Sequence, residues 1–285
     1  MNSFSYYKPQ TLEQAFELLD QYNSRARLMA GGTDLIVRLK NDQIEPEAVI
    51  DIKAITELNS GVVMDGGWIR IGALTLMTDL QNDELINEHL SALAEAAADV
   101  GSVQIRNRAT LAGNLCNASP AADTAPSQLI YDAQVELASK KGIRTLPLAD
   151  FITGPGKTAL LPGEIVKSIQ MPVPSGKQAA SFERLTRRKG VDLATVNLCC
   201  QVKENGTIRF AVGAAGPVPF IVSDTSGKLA DRKPGEVEKT ELINALMQSA
   251  APITDVRASK EYRQEMLGVL GYRALVKTLE KLDQK

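Results

Sequence analysis

The sequence is poor in the residue types that most often hold metals. Its 285 residues include one histidine and three cysteines. With His89 alone, a multi-histidine metal site or a histidine-based triad would rest on a single residue. Cys116 stands apart and Cys199 directly precedes Cys200, a spacing that fits neither an iron–sulfur cluster nor a disulfide framework. We therefore expect a reducing compartment, with any metal redox centre in another chain.

Long apolar runs and an excess of one charge are lacking as well. No segment approaches eighteen consecutive apolar residues, and the first residues show no basic region followed by an apolar core. The formal net charge is -2, and basic residues are scattered among acidic ones. We expect a cytoplasmic protein that binds neither membranes nor nucleic acids. The composition, 44% hydrophobic and 23% charged, suits a globular chain with room for two domains.

Two glycine-centred segments stand out, residues 30–34 (AGGTD) and 110–114 (TLAGN). Each precedes a helical pattern, and glycine lets backbone N–H groups approach a phosphate closely. Ordinary turn and helix-cap chemistry is the alternative interpretation of each. Neither segment has the G-x-G-x-x-G spacing of a Rossmann site. A nicotinamide cofactor in a doubly wound sheet is therefore disfavoured, whereas a flavin held by another fold stays open.

Hydrophobic periodicity predicts the elements around these segments. Residues 26–30 and 48–51 read as strands on either side of a short helix, which gives a β-α-β unit. Residues 62–71 contain Asp-Gly-Gly between two β-branched runs and predict a hairpin. A second hairpin is predicted around Asn205-Gly206. The proline-rich residues 172–176 read as a linker before a second domain.

Four segments together resemble the FAD-binding subunit of the xanthine dehydrogenase family of molybdenum hydroxylases. These segments are residues 28–35 (LMAGGTDL), 104–114 (QIRNRATLAGN), 118–123 (ASPAAD) and 153–158 (TGPGKT). The last is most similar to the purine-oxidising branch. The resemblance implies an α+β fold, with a two-subdomain FAD-binding domain of the vanillyl-alcohol-oxidase type and a C-terminal domain of the CO dehydrogenase flavoprotein type. That smaller domain is expected to have a three-stranded antiparallel sheet and helices.

The resemblance also implies domain limits. The FAD-binding domain would span residues 1–172, with subdomains at about 1–55 and 56–172, and the C-terminal domain would span residues 177–285.

The resemblance further implies which residues bind FAD. Residues 28–35 would wrap the pyrophosphate, and residues 110–114 would contact phosphate and ribityl groups. Asp123 would be an acidic FAD contact. Val166 and Arg184 match less closely. The alternative for Val166 is a place in the core of a strand, and the alternative for Arg184 is a surface pair with Glu183. Relatives commonly carry two glycines before the asparagine of the segment at residues 110–114, where this chain has Ala112 and Gly113. Because the change is small, we expect Ala112 to be accommodated in a β conformation. The implied contacts are Leu28, Met29, Ala30, Gly31, Gly32, Thr33, Asp34, Leu35, Thr110, Leu111, Ala112, Gly113, Asn114, Asp123, Val166 and Arg184.

The function implied by the resemblance is an electron relay. Substrate would be oxidised at molybdopterin in a large subunit, and electrons would pass through [2Fe–2S] clusters in a small subunit to FAD in this chain and then to NAD. A xanthine dehydrogenase is the first expectation, with no catalytic residue or metal ligand in this chain. The loop at residues 187–192 would border the flavin. The FAD subunit of a nicotinate or CO dehydrogenase, a self-contained flavin oxidoreductase and a non-enzymatic scaffold are the alternatives.

Overall fold

The N-terminal unit is a small parallel sheet with a helix in each crossover. The computed structural model describes residues 2–58, 61–231 and 235–284. In the sheet β3 lies between β1 and β2, and both pairs are parallel. The predicted β-α-β unit is thereby confirmed, and the carboxyl ends of all three strands meet at one edge. The elements are β1 (Ser5–Tyr7), α1 (Leu12–Tyr22), β2 (Ala26–Met29), α2 (Leu35–Lys40) and β3 (Ala48–Asp51).

The middle of the chain forms a five-stranded antiparallel sheet and most of the helices. Its strand order is β4-β5-β10-β6-β7, and the predicted hairpin at residues 62–71 is its β4–β5 pair. The strands are β4 (Val62–Asp65), β5 (Trp68–Gly72), β6 (Gln134–Ser139), β7 (Gly142–Pro147) and β10 (Ile165–Pro172), with a separate pair β8 (Ile152–Gly154) and β9 (Lys157–Thr158). The helices are α3 (Met77–Asn82), α4 (Glu84–His89), α5 (Ser91–Asp99), α6 (Val103–Arg106), α7 (Leu111–Asn117), α8 (Thr124–Ile130) and α9 (Leu148–Phe151).

The C-terminal unit is an antiparallel sheet covered by two helices. Its sheet has four strands, so the expectation of three was wrong. The additional strand, β14, pairs with β13 at the sheet edge. Pro217 and Pro219 precede it and give its sequence the look of a loop. The elements are β11 (Gln178–Leu185), β12 (Val196–Lys203), β13 (Ile208–Gly213), β14 (Phe220–Asp224), α10 (Glu236–Leu246) and α11 (Lys260–Asp283).

The C-terminal sheet has a hydrophobic core on each of its faces. Successive strand residues point to opposite faces, and the adjacent Cys199 and Cys200 show this directly. Cys199 packs in the core shared with the first two units, whereas Cys200 packs in the core beneath α10 and α11. Both thiols are free and buried. The sheet therefore fastens the C-terminal unit to the rest of the chain.

Two kinds of feature are absent from the described residues. No helix there is both long and apolar enough to cross a membrane. No group of three or more histidine, cysteine, aspartate or glutamate side chains there is arranged to hold a metal ion.

Arg263 joins the C-terminal helix to the loop before it and to the sheet. Arg263 on α11 is 2% exposed, and its Nη2 lies 2.6 Å from Asp255 Oδ1. Its Nη1 donates to the carbonyl of Thr195, just before β12, at 2.5 Å. Arg257 also binds Asp255, and the hydrogen bonds from Arg257 hold the pKa of that carboxyl well below its usual range.

Asp255→Asn is expected to lower the free energy of unfolding by about 3 kcal/mol, because it leaves the buried Arg263 guanidinium without its counter-charge. Urea unfolding followed by circular dichroism measures the change. Lys260→Met, which removes an exposed pair with Glu261, is the control and should change stability by less than about 1 kcal/mol. Equal stabilities for Asp255→Asn and the wild type would contradict this assignment.

Candidate functional site

A cleft of about 1000 Å³ opens where the three units meet. The carboxyl edge of the parallel sheet forms one wall, and α7, the start of α8 and β10 form the other. The loop between β11 and β12 borders one end through Arg188, Val191, Asp192 and Leu193. The sixteen residues predicted from the sequence all line this cleft, apart from Leu111 and Arg184.

The first segment presents a row of backbone donors. The N–H groups of residues 31–35 have no acceptor in the described part of the chain. Gly32 has a φ of +75°, a conformation that glycine adopts without strain. The carbonyl of Gly32 accepts from Ile36 N at 3.0 Å, so α2 begins directly after the row. Successive free N–H groups at such a turn are suited to binding an anion.

Gly31 has a different role from the one that its sequence context predicts. A Cβ added to Gly31 would lie 2.0 Å from the carbonyl oxygen of Arg108 and 3.0 Å from Ala109 Cα. The absence of a side chain at Gly31 therefore leaves room for the backbone of Arg108 and Ala109, which directly precede the second segment, in addition to any phosphate. The two glycine-centred segments pack against each other at this point.

A side-chain bridge also joins the two segments. Asn117 at the end of α7 donates to Asp34 Oδ1 at 3.3 Å and accepts from Arg38 Nη2 at 2.9 Å. Asn117 and Arg38 both line the cleft and were missed in the sequence. Helical spacing is the signal that could have found them, since Arg38 follows Asp34 by four residues and Asn117 follows Asn114 by three.

The second segment is the first turn of helix α7, with Thr110 as its N-cap. Thr110 Oγ1 accepts from Gly113 N at 3.0 Å, and the carbonyl of Thr110 accepts from Asn114 N at 3.0 Å. The expectation of a free N–H at Gly113 was therefore wrong, because the cap already uses that donor. In the described part of the chain, the Ala112 N–H has no acceptor and is the donor that this segment offers.

Two further expectations for this segment are corrected. Ala112 lies within α7 and has no positive φ, so the expected β conformation was wrong and its methyl group is accommodated in the helix. Leu111 is fully buried in the hydrophobic core and does not line the cleft. Its N–H donates to the carbonyl of Thr75 at 3.1 Å. The structure therefore leaves Leu111 no free group with which to contact a ligand.

Asp123 is a buried carboxylate at the cleft wall, and side chains of the C-terminal unit donate to both of its oxygens. Arg184 Nη1 lies 2.9 Å from Asp123 Oδ2, and Asn197 Nδ2 donates to Oδ1 at 3.1 Å. Burial raises the pKa of Asp123 to about 6, although the charge of Arg184 opposes this shift. Asn197 is a third residue missed in the sequence, because it reaches Asp123 from a distant strand.

Arg184 acts through Asp123 and lies outside the lining of the cleft. It also pairs with Asp99 at 3.1 Å, and its side chain is only 13% exposed. The alternative of a surface pair with Glu183 was wrong, since Glu183 pairs with Lys277 at 3.2 Å.

Val166 fits both interpretations that the sequence allows. It is buried in β10 and packs in the core, and it also lines the cleft, next to a register shift between Val166 and Ser168. The β11–β12 loop borders the cleft as expected. An ion pair of 3.1 Å between Arg187 and Asp192 holds this loop across its base.

The lining residues fit a dinucleotide. The free N–H groups of the first segment and of Ala112 are donors for phosphate oxygens, and Arg27 and Arg38 add positive charge on the same wall. Apolar side chains of Val100, Ile105 and Leu193 also line the cleft, and an aromatic ring system can pack against them. Cys116 also lines the cleft, and burial raises the pKa of its thiol to about 12, so the thiol stays protonated.

Comparison with known families and proteins agrees with this geometry. Residues 2–174 match the family described as the FAD binding domain in molybdopterin dehydrogenase. Residues 180–278 match the CO dehydrogenase flavoprotein C-terminal domain. The chain is 35% identical over 269 residues to the xanthine dehydrogenase FAD-binding subunit of Escherichia coli O157:H7, covering 92% of this chain and 91% of that one.

Two further comparisons cover almost the whole chain. It is 31% identical over 293 residues to the nicotinate dehydrogenase FAD-subunit of Eubacterium barkeri, with 99% and 98% of the two chains covered. It superimposes on a chain of carbon monoxide dehydrogenase from Hydrogenophaga pseudoflava with a TM-score of 0.88, at 29% identity and 98% coverage of each chain. The chain belongs to the family of FAD-binding proteins of the molybdopterin dehydrogenases.

Proposed function

We propose that this chain is the FAD-binding subunit of a xanthine dehydrogenase, assembled with a large molybdopterin subunit and a small [2Fe–2S] subunit in the cytoplasm. The observation that carries the proposal is the meeting of two donor-bearing segments in one cleft, in a chain 35% identical to a xanthine dehydrogenase FAD-binding subunit. The proposed division is an FAD-binding domain at residues 1–172 and a C-terminal domain at residues 177–285.

A nicotinate or CO dehydrogenase is the second candidate. The relatives of those names are 31% and 29% identical to this chain over 99% and 95% of its length. The cleft described above holds the cofactor rather than the oxidised substrate, so its residues do not distinguish these complexes.

The chain's own residues have three tasks in this proposal. The N–H groups of residues 31–35 and of Ala112 bind the two phosphates, and Asp34 and Asn117 hold the two segments in place. Asp123, fixed by Arg184 and Asn197, presents a carboxyl that gains or loses a proton near pH 6. The β11–β12 loop limits the access of water and of NAD at the open end. Bound FAD supplies the redox chemistry between the [2Fe–2S] clusters and NAD.

Purification of the full chain, alone and with its copurifying partners, tests the proposal. We expect a yellow protein that releases FAD on denaturation, and a complex that reduces NAD when given xanthine or hypoxanthine. Turnover of nicotinate or carbon monoxide instead would select the second candidate. A colourless chain that also fails to take up added FAD would contradict the assignment as a flavoprotein subunit.

Gly32→Val is expected to lower FAD retention between about fivefold and 150-fold, because valine at a φ of +75° costs roughly 1–3 kcal/mol and displaces the row of N–H groups. An added Cβ would meet Ile36 and Met29 only at 3.5 Å, so the effect comes from the backbone. FAD content per folded protein measures it. Gly227→Val, at a φ of +71° in the C-terminal unit, is the control and should keep its FAD. Equal FAD content in the two variants would rule out this placement.

Asp123→Asn is expected to change how stability depends on pH. Because the pKa of Asp123 rises from 3.8 to about 6 on folding, its contribution to the free energy of unfolding is greatest below pH 3.8. The contribution then falls as the pH rises through 6, by up to about 3 kcal/mol. The stability of the wild type minus that of the variant should therefore decrease between pH 4 and pH 7. Urea unfolding across this pH range measures this difference in the free energy of unfolding. A difference that increases with pH would mean that the ion pair with Arg184 outweighs the effect of burial on Asp123.

A further inference from the structure

A second, smaller cavity lies behind the first glycine-centred segment. It has a volume of about 290 Å³, and Lys53, Arg108 and Thr110 line it. Gly31 lines both this cavity and the cleft, whereas Lys53 lines only the smaller cavity. Lys53 therefore approaches the segment from the side away from the cofactor cleft.

Lys53 is held at this position by a buried carboxylate. Its Nζ lies 2.6 Å from Asp51 Oδ1, and Asp51 is 3% exposed at the end of β3. The hydroxyl of Tyr6 donates to the other oxygen of Asp51. Burial opposes ionisation of Asp51, but the hydrogen bonds from Lys53 and Tyr6 outweigh it and lower the pKa of this carboxyl. Asp51 is therefore ionised at neutral pH, and the ion pair fixes the lysine.

From this position Lys53 reaches the backbone of the first segment. Its Nζ donates to the carbonyl oxygen of Ala30 at 3.2 Å. In a trans peptide the carbonyl and the following N–H point in opposite directions, and the described peptides include no cis bond. Because the Ala30 carbonyl points to Lys53, the N–H of Gly31 points away from it. That N–H is the first donor of the row that faces the cleft.

Without the hydrogen bond from Lys53, the Ala30–Gly31 peptide would have a second orientation open to it. Because Gly31 has no Cβ, its own φ and ψ are compatible with more than one orientation of the Ala30–Gly31 peptide. Rotation by half a turn would present the Ala30 carbonyl in place of the Gly31 N–H, and a carbonyl oxygen repels phosphate. The hydrogen bond from Lys53 is absent in that orientation, so it favours the one that binds an anion.

We propose that Lys53 is a positioning residue that holds the Ala30–Gly31 peptide with its N–H directed to the FAD pyrophosphate. The inference rests on the proposed function, because it assumes FAD in the cleft. Lys53 acts through the Ala30 carbonyl and through Asp51, without contacting the cofactor.

Titration of FAD into the flavin-free full chain, followed by quenching of flavin fluorescence, tests the proposal. Lys53→Met is expected to raise the Kd for FAD about tenfold, the effect of losing one hydrogen bond from a charged donor. Lys53→Arg keeps a charged donor and is expected to restore most of the affinity. The ³¹P resonances of bound FAD should shift in Lys53→Met and return towards wild type in Lys53→Arg. Lys228→Met, an exposed lysine of the C-terminal unit, is the control and should bind FAD as the wild type does.

Each outcome distinguishes this inference from the proposed function. A wild-type chain that binds no FAD would contradict the proposed function itself. If the wild type binds FAD, unchanged Kd and ³¹P resonances in Lys53→Met overturn the positioning role. Equal losses in Lys53→Met and Lys53→Arg would also overturn it, because only the methionine variant lacks a donor. Lys53→Met leaves the buried Asp51 without its counter-charge, so its thermal unfolding midpoint is expected to fall, whereas that of Lys53→Arg stays close to wild type. The Kd values are therefore compared at a temperature at which circular dichroism shows every flavin-free variant to be folded.

Discussion

The cleft depends on one close backbone contact, where the carbonyl of Arg108 packs against Gly31. A methyl group at position 31 would lie 2.0 Å from that oxygen, well inside any real contact distance. The first segment follows strand β2 and the second begins helix α7, so no strand pairing holds the two together. Asn117 on α7 donates to Asp34 and accepts from Arg38, and this bridge supports the contact from the cleft side.

The two sides of the cleft contribute unequally. The first segment offers a row of unpaired N–H groups, supported from behind by Lys53. The second segment is a capped helix start in which the N–H groups of Leu111, Gly113 and Asn114 already have acceptors in the protein. The C-terminal unit contributes from further away, since Arg184 and Asn197 hold Asp123 and the β11–β12 loop borders the open end. The site is therefore complete only when both family domains are folded together.

Local features of the sequence predicted much of this arrangement. The β-α-β unit and both hairpins follow from turn residues and alternating apolar positions, which act over a few neighbouring residues. The segment at residues 110–114 was expected to precede a helix but is itself the first turn of one, because Thr-Leu-Ala-Gly is compatible with a capped helix as well as with a loop. The partners of Arg184 and the reason for Gly31 were not predictable, because both depend on backbone and side chains brought together by the tertiary fold.

The central claim is that the Gly31 contact creates the FAD site, and Gly31→Ala tests it most directly. Equilibrium titration of the flavin-free variant with FAD, alongside circular dichroism to verify folding, is the measurement. The account predicts a folded protein whose Kd for FAD is raised between about fivefold and 150-fold, since an overpacked contact costs roughly 1–3 kcal/mol and separates the two segments. A folded Gly31→Ala variant that binds FAD with the affinity of the wild type would contradict it.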